Sequence, residues 1–282
     1  MIRIFVIVCM SFAALHASDT GCYCVHGLDR CLFPSSGTDE FELSILNTFT
    51  ISYASMVLGM DDADDAILFV DNNDSGEKLF VADPQDMSYA GEFDLPWTNA
   101  DPFGVCYFGG VPYVNDSSDS GIRYGFDFTS IFTNPFGADG RGMDSDGTNL
   151  WEVSGGSASD GEVGRFNSGG SGFQSWDLPG ITSQISGMTL YPIPGSTGIA
   201  VTTYDTGATY HYVWLYEFTG SQCVLLGTAE LPSCIVSTGL AYSDYTGTWF
   251  SAFNDGAWRV IEFELEEVSF QQDTWGGIKS AF

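Results

Sequence analysis

Carboxylates are the most abundant side chains in this sequence that can do acid–base chemistry. Its 282 residues include 37 Asp and Glu against 8 Lys and Arg. Glycoside hydrolysis uses two carboxyl groups, one as general acid and the other as base or nucleophile. Asp61, Asp101 and Asp144 are the candidates for this chemistry. A chain this acidic places three carboxylates near any channel by chance, so their presence alone does not identify an enzyme.

Calcium binding is a second chemistry that the acidic residues suggest. The sequence DNNDSG at residues 71–76 matches the opening half of a calcium loop, in which alternate oxygen side chains precede a glycine. The candidate ligands there, and in a similar spacing further on, are Asp71, Asn73, Ser75, Asp116 and Ser118. The twelfth position of the loop is Ala82 instead of a bidentate Glu, which excludes an EF-hand. Ordinary hairpin turns are the favoured interpretation. No cofactor is required, and calcium is a candidate support.

Histidine is scarce, which excludes several catalytic classes. Without His16, which lies in the N-terminal apolar segment, only His26 and His211 remain. A His-rich metal site is therefore unavailable, and neither histidine lies in a motif for nucleophilic catalysis. No Gly-rich loop carries a Lys, which argues against phosphate chemistry.

The charge and composition exclude further partners. A formal net charge of −29 repels nucleic-acid phosphates and anionic lipid surfaces. The chain also contains 44% hydrophobic and 15% aromatic residues, whereas acidic disordered chains are poor in both. The sequence therefore predicts an acidic folded protein without a nucleic-acid partner.

Residues 1–17 have the pattern of a secretory signal peptide. Arg3 precedes a short apolar run, and Ala17 supplies a small residue at the cleavage point. The run is too short to span a membrane, so we expect a secreted, extracellular or cell-surface protein without membrane insertion. Cleavage would leave residues 18–40 as a Cys-containing N-terminal segment.

Six cysteines remain after residue 17, and an even number in an oxidising compartment predicts disulfides. Fifteen pairings are open, and six free thiols are the alternative. Cys24 and Cys31 are a candidate local pair. Cys223 and Cys234 lie at either end of a predicted strand, so we expect that they do not bond to each other.

Five internal repeats must position these residues. Each opens on Gly followed by an apolar residue, at Gly59, Gly104, Gly142, Gly187 and Gly239. Three repeats close on a Leu-Pro pair, at Pro96, Pro179 and Pro232. Between these ends, apolar strands flank polar Gly turns such as Asp119-Ser120-Gly121, which are typical of β-hairpins.

Units of this length with four short strands are typical of β-propeller blades. The sequence therefore predicts an all-β fold, a five-bladed β-propeller of four-stranded antiparallel blades over residues 41–267. The last unit lacks a fourth strand, and a spare strand at 41–50 would complete it and close the ring. Six blades are the alternative.

Residues 142–151, GMDSDGTNLW, carry a family resemblance. With the following EVS they resemble the blade signature of NHL-repeat and virginiamycin B lyase-like propellers, and GLAY at 239–242 begins a second copy. The resemblance implies the fold. It does not imply the lyase activity, because that enzyme needs a His acid/base pair with a metal.

The tail at 268–282 resembles short Trp-Gly-x-Ile-Lys tails of secreted bacterial proteins, which implies a sorting or anchoring signal; a plain chain end is the alternative.

Ligands of propellers usually bind on the face where the outer strands connect to the next inner strands. The residues predicted there for ligand binding are Tyr53, Trp97, Asn99, Asp101, Asp139 and Arg141. Acidic residues 61–65 are predicted to form a solvated loop.

We expect from these features a non-catalytic binding or interaction module for an extracellular glycan or protein. The first alternative is a glycoside-active enzyme that uses channel carboxylates, and the second is a structural component of an extracellular assembly. The ligand and the role of the tail stay open.

Overall fold

The computed structural model describes residues 23–24, 31–32, 39–72, 76–96, 101–155, 161–181, 183–204 and 211–267. The chain divides into two compact units, Met1–Asp39 and Glu40–Phe282. In the first unit, β1 (Tyr23–Cys24) pairs antiparallel with β2 (Cys31–Leu32), and Cys24 lies opposite Cys31. The predicted signal peptide and the C-terminal tail lie outside the described residues.

The second unit is a five-bladed β-propeller, as the repeats predicted. Its first strand in sequence, β3, spans Asp39–Thr50. The first blade contains β4 (Leu58–Ala63), β5 (Ala66–Asp71), β6 (Lys78–Ala82) and β7 (Tyr89–Asp94). The second contains β8 (Pro102–Phe108), β9 (Val111–Asp116), β10 (Gly121–Tyr124) and β11 (Ser130–Thr133). The third contains β12 (Gly140–Ser145), β13 (Leu150–Ser154), β14 (Glu162–Phe166) and β15 (Gln174–Asp177).

The fourth blade contains β16 (Gln184–Ile193), β17 (Ser196–Tyr204), β18 (His211–Phe218) and β19 (Cys223–Leu231). The fifth contains β20 (Val236–Ser243), β21 (Thr248–Asn254), β22 (Trp258–Glu267) and β3. Antiparallel pairing of β3 with β22 closes the ring, which confirms the predicted use of the N-terminal strand. Outer strands β19 and β3 are also neighbours, so the last two blades form one eight-stranded sheet.

The Leu-Pro pairs end three of the outer strands for a physical reason. Leu95, Leu178 and Leu231 are each at most 5% exposed and belong to hydrophobic clusters of the core. The proline that follows each leucine has no N–H to continue a strand. The leucine therefore fixes the end of the outer strand in the core, and the proline ends the strand so that the chain can continue to the next inner strand.

The repeated glycines lie where neighbouring inner strands meet. A Cβ on Gly142 would lie 2.8 Å from Gly187 Cα, and a Cβ on Gly187 would lie 2.8 Å from the Thr238 carbonyl oxygen. A Cβ on Gly104 would overlap the Arg141 carbonyl oxygen. Glycine is thus required because backbone from the next blade occupies the position of a side chain.

Two features of the chain differ from expectation. Asp61 and Asp62 belong to β4, so only Asp64 and Asp65 form the turn after it, and the solvated-loop prediction was wrong for the first two. Cys106, Cys223 and Cys234 are free thiols, so the expected disulfides are not found among these three. The prediction that Cys223 and Cys234 do not bond to each other is confirmed.

Among the described residues, no helix has the length and apolarity to cross a bilayer.

Candidate functional site in the central channel

Five residues at one repeated blade position surround the centre of the ring. Each lies two residues after the repeated glycine, and they are Asp61, Cys106, Asp144, Thr189 and Ala241. An inner strand pairs within its own blade along only one edge, so its other edge leaves backbone N–H groups that need acceptors. Side chains at this position point to the inner strand of the next blade and can meet that need.

The carboxylates and the threonine bond to the next blade in the same way. Asp61 Oδ2 accepts the Tyr107 N–H at 2.6 Å, and Asp144 Oδ2 accepts the Leu190 N–H at 2.5 Å. Thr189 Oγ1 accepts the Tyr242 N–H at 3.0 Å. Because a neutral threonine makes the same contact, this geometry is a device that joins inner strands.

Asp61 and Asp144 also contact each other across the channel, although they belong to the first and third blades. Their carboxyl groups are hydrogen-bonded, which requires one of them to carry a proton. Burial, followed by the charge of Asp144, raises the pKa of Asp61 well above its usual range. Burial raises the pKa of Asp144 to about 6, although four hydrogen bonds, including the one from Asp61, oppose the increase. Asp61 is 3% exposed, whereas Asp144 is half-buried. Asp61 is therefore the group that keeps the proton.

Cys106 lies beside this pair. Burial, and then the negative charges of Asp61 and Asp144, raise the pKa of its thiol. The thiolate is the nucleophilic form of cysteine, and these surroundings disfavour it. Cys106 therefore behaves as a small buried side chain of the channel.

The third candidate acid lies away from the channel pair. Asp101 directly precedes β8, and its carboxylate accepts hydrogen bonds from Asn72 and Ser117. Its backbone N–H donates to Asp116 Oδ1 at 2.9 Å. The structure thus brings Asp101 together with the second calcium-like turn and separates it from Asp61 and Asp144.

The residues proposed for calcium already have hydrogen-bond partners. Asp71 accepts the Ser55 N–H and hydroxyl, both at 2.9 Å. Asp116 Oδ1 also accepts the Ser118 N–H at 2.9 Å. Asn73 and Ser75 lie outside the described residues. Within the described part of the chain, no three potential His, Cys, Asp or Glu ligands cluster around a common point. Calcium binding stays a prediction.

Two of the ligand-binding candidates fill structural positions. Tyr53 packs against Phe69, Phe80 and Tyr89, and its hydroxyl donates to the Met87 carbonyl at 2.9 Å. Burial raises its pKa to about 12. This places the ring in the first blade's aromatic cluster, whereas the sequence suggested a loop on the binding face.

Arg141 lies at the start of β12, next to Asp139 in the 3-10 turn Gly137–Asp139. Its guanidinium group stacks on the Phe103 ring at 4.2 Å and donates to the Ala138 carbonyl at 2.9 Å. Trp97 and Asn99 lie outside the described residues. The cation predicted for this face is therefore half-buried against an aromatic ring.

Sequence reasoning missed one buried acid. Glu152 is 0% exposed, and its Oε1 accepts hydrogen bonds from Asn115 at 2.8 Å and from Asn134 at 2.7 Å. Its Oε2 has no partner among the described residues. Burial raises the pKa of Glu152 to about 8, so the side chain is mostly neutral at pH 7. The available signal was its position as the one acid in strand Leu150–Ser154, between Trp151 and Val153.

No family model and no curated protein matches the chain. Among solved structures, the chain is similar to a glutaminyl cyclase from Myxococcus xanthus, with a TM-score of 0.61, 11% identity, and coverage of 82% of this chain and 99% of that one. It is also similar to a gluconolactonase from Xanthomonas campestris, with a TM-score of 0.48, 10% identity, and coverage of 79% and 95%. A chain of a nidogen/laminin complex gives a TM-score of 0.47, 12% identity, and coverage of 71% and 73%. At these identities the likeness concerns the propeller fold alone.

Proposed function

We propose that this protein is a secreted, non-catalytic β-propeller that binds an extracellular glycan or protein, with calcium as a candidate support. The observation that carries the proposal is the bonding of Asp61 and Asp144 to the backbone of adjacent blades. Thr189 fills the equivalent position with the equivalent bond. Secretion is proposed from the pattern of residues 1–17. The blade pattern supports a place among NHL-repeat and virginiamycin B lyase-like propellers, without the activity of the lyase.

The contact between Asp61 and Asp144 also argues against a glycosidase that uses this pair. Retaining enzymes hold their carboxyl groups about 5 to 5.5 Å apart, and inverting enzymes about 6.5 to 9.5 Å apart, so that sugar or water fits between them. Hydrogen-bonded carboxyl groups leave no such space. The proton they share is better explained by their forced proximity in a narrow channel.

A glycan array probed with the full-length protein, in calcium and in chelator, tests the binding proposal. We expect selective binding of one glycan class without release of free sugar. A ligand site that needs calcium would lose at least about tenfold in affinity in chelator, a change of about 1.4 kcal/mol. Binding that is equal in both conditions would remove calcium from the proposal. Absence of glycan binding would leave protein ligands, to be tested by cross-linking to extracellular proteins. Turnover of any array glycan would contradict a non-catalytic role.

An enzyme is the second candidate, since a half-buried carboxyl group with a pKa of about 6 is suited to proton transfer near neutral pH. The structurally similar glutaminyl cyclase is an enzyme by name, although the likeness concerns the fold only. Asp144→Asn separates the two candidates, because asparagine can still accept the Leu190 N–H but cannot act as a general acid or base.

We expect Asp144→Asn to keep glycan affinity within about twofold of the unsubstituted protein. A general acid at this position would instead lose about 100-fold to 10,000-fold in turnover with binding retained. Product release by chromatography and binding by calorimetry give the two readouts. Asp177→Asn serves as the comparison, because Asp177 is exposed on outer strand β15, away from the channel pair. Circular dichroism verifies that both variants fold.

A further inference from the structure

A groove lies between the fourth and fifth blades, on a different part of the surface from the channel pair. It has a volume of about 480 Å³. Its lining residues come from β16, β18 to β22, the turn before β21 and the start of the propeller, and the aromatic ones are Phe41, Tyr191, Tyr242 and Trp249. The groove therefore combines parts of two blades that the β19–β3 pairing joins on the outer side.

The chemistry of the groove is apolar inside and anionic at the edge. The Trp249 ring packs against Tyr191 and Tyr242, with ring centroids 5.0 and 5.1 Å apart. Glu264 and Glu266, also in the lining, are exposed. Such a surface fits apolar side chains accompanied by a cation.

A sugar ring is a poorer fit. Stacking of a sugar needs an open aromatic face, but Trp249 is only 7% exposed, and Tyr191 and Tyr242 pack on it at steep angles. The cavity beside these rings, which Leu215, Leu226 and Leu265 also line, instead offers space for apolar side chains.

The chain itself supplies such side chains next to the groove. β22 lines the groove at residues 264–266 and ends at Glu267, which pairs with Phe41. Residues 268–282 follow directly. They contain four large apolar residues and one lysine, and these are Phe270, Trp275, Ile278, Phe282 and Lys279.

Charge singles out the same segment. The chain has two lysines, and the other one, Lys78, forms an ion pair with Glu92 in the first blade. Lys279 is thus the lysine left for Glu264 and Glu266. In a chain with a net charge of −29, the side chains of residues 268–282, with one Asp and one Lys, bring no net negative charge to the anionic rim.

We propose that the groove between blades four and five is the docking site for residues 268–282 of the same chain. Trp275 lies eight residues beyond Glu267, a reach of up to about 26 Å at about 3.3 Å per residue. Gly276 and Gly277 allow the chain to turn beyond it. Attachment to β22 gives an effective concentration of about 1 mM or more, so modest intrinsic affinity suffices. The proposal does not depend on the ligand-binding function.

Hydrogen exchange of the full-length protein tests this docking. The variant Trp275→Ala/Ile278→Ala/Phe282→Ala keeps the chain length and removes apolar side chains from the tail alone. We expect exchange at residues 191–193 and 242–249 to become about tenfold faster than in the unsubstituted protein, which corresponds to about 1.4 kcal/mol of lost protection. Gln271→Ala/Gln272→Ala is the matched tail control and should leave exchange unchanged.

Addition of a synthetic peptide with the sequence of residues 268–282 to the triple variant should restore protection in a saturable manner. Glu264→Gln/Glu266→Gln should weaken the peptide about threefold and reduce its salt dependence, while Glu230→Gln, an exposed glutamate on β19, should not. Equal groove protection in the triple variant and the unsubstituted protein would overturn the proposal. Protection that rises with protein concentration, together with a dimer in sedimentation, would overturn the intramolecular form and assign the tail to a second copy.

Discussion

Gly142→Ala should destabilise the propeller by about 3 kcal/mol and lower the melting temperature by about 10 °C. The backbone of Gly142 would accept alanine, because its φ is outside the left-handed region. The cost comes from the next blade, since the new Cβ would lie 2.8 Å from Gly187 Cα and would overlap the Met188 nitrogen. Both contacts are backbone atoms of β16, which pairs with β17 over most of its length and cannot move aside alone.

Gly91→Ala is the matched control for this prediction. Gly91 lies in outer strand β7, also without a left-handed φ, and no atom lies within 4 Å of a Cβ at that position. Alanine there should change stability by less than about 0.5 kcal/mol, or stabilise slightly by restricting the unfolded chain. Urea unfolding followed by circular dichroism compares the two. If Gly142→Ala unfolds at the midpoint of the unsubstituted protein, the close approach of the inner strands is contradicted.

The fold was predictable from the sequence because its constraints repeat along the chain. The backbone of the next inner strand requires a glycine at four of the five repeat positions, whereas a Cβ on Gly239 would meet the Met60 side chain. A Leu-Pro pair follows the outer strand in three blades. Ring closure was also predictable, since a last unit without a fourth strand and an extra strand at residues 41–50 complement each other. These features depend on the backbone preferences of individual residues, which can be predicted from one sequence.

The geometry of the site was less accessible for a different reason. Asp61 and Asp144 could be placed near the channel by their repeat position, but their contact joins blades one and three. It depends on the width of the ring, which no local pattern encodes. The packing of Tyr53 could not be predicted either. Its position between two strands indicates a loop, but its ring packs against Phe69 and Phe80.

Glu152 shows how burial can convert an acid into a neutral side chain. Four of the five residues of β13 are buried, and the Asn115 and Asn134 amides that donate to this carboxyl group come from the second blade and the residue that follows it. Asn115 in turn accepts the Gly104 N–H at 2.6 Å and donates to the Arg141 carbonyl at 2.5 Å. This hydrogen-bond network therefore connects blades two and three at the polar centre of their interface. The protonation state of Glu152 should influence the stability of the protein.

Glu152→Gln should raise the free energy of unfolding at alkaline pH more than it does at acidic pH. The folded pKa of about 8 lies above the ordinary value of 4.5, so the folded state binds more protons than the unfolded state between these values. The contribution of Glu152 to stability is therefore most favourable below pH 4.5 and declines as the pH rises toward 8. Glutamine carries no charge and removes this decline.

At pH 8 we expect Glu152→Gln to be more stable than the unsubstituted protein by about 2 to 3 kcal/mol. At pH 4.5 the two should agree within about 1 kcal/mol, since glutamine keeps an oxygen for Asn115 and Asn134 but leaves an amide group to be satisfied. Glu42→Gln, at an exposed position on β3, controls for the general effect of removing one negative charge from an acidic chain. Urea unfolding at several pH values measures the difference. A stability gain that is the same at pH 4.5 and pH 8, or one that Glu42→Gln reproduces, would mean that Glu152 is ionised in the folded protein and that the network tolerates its charge.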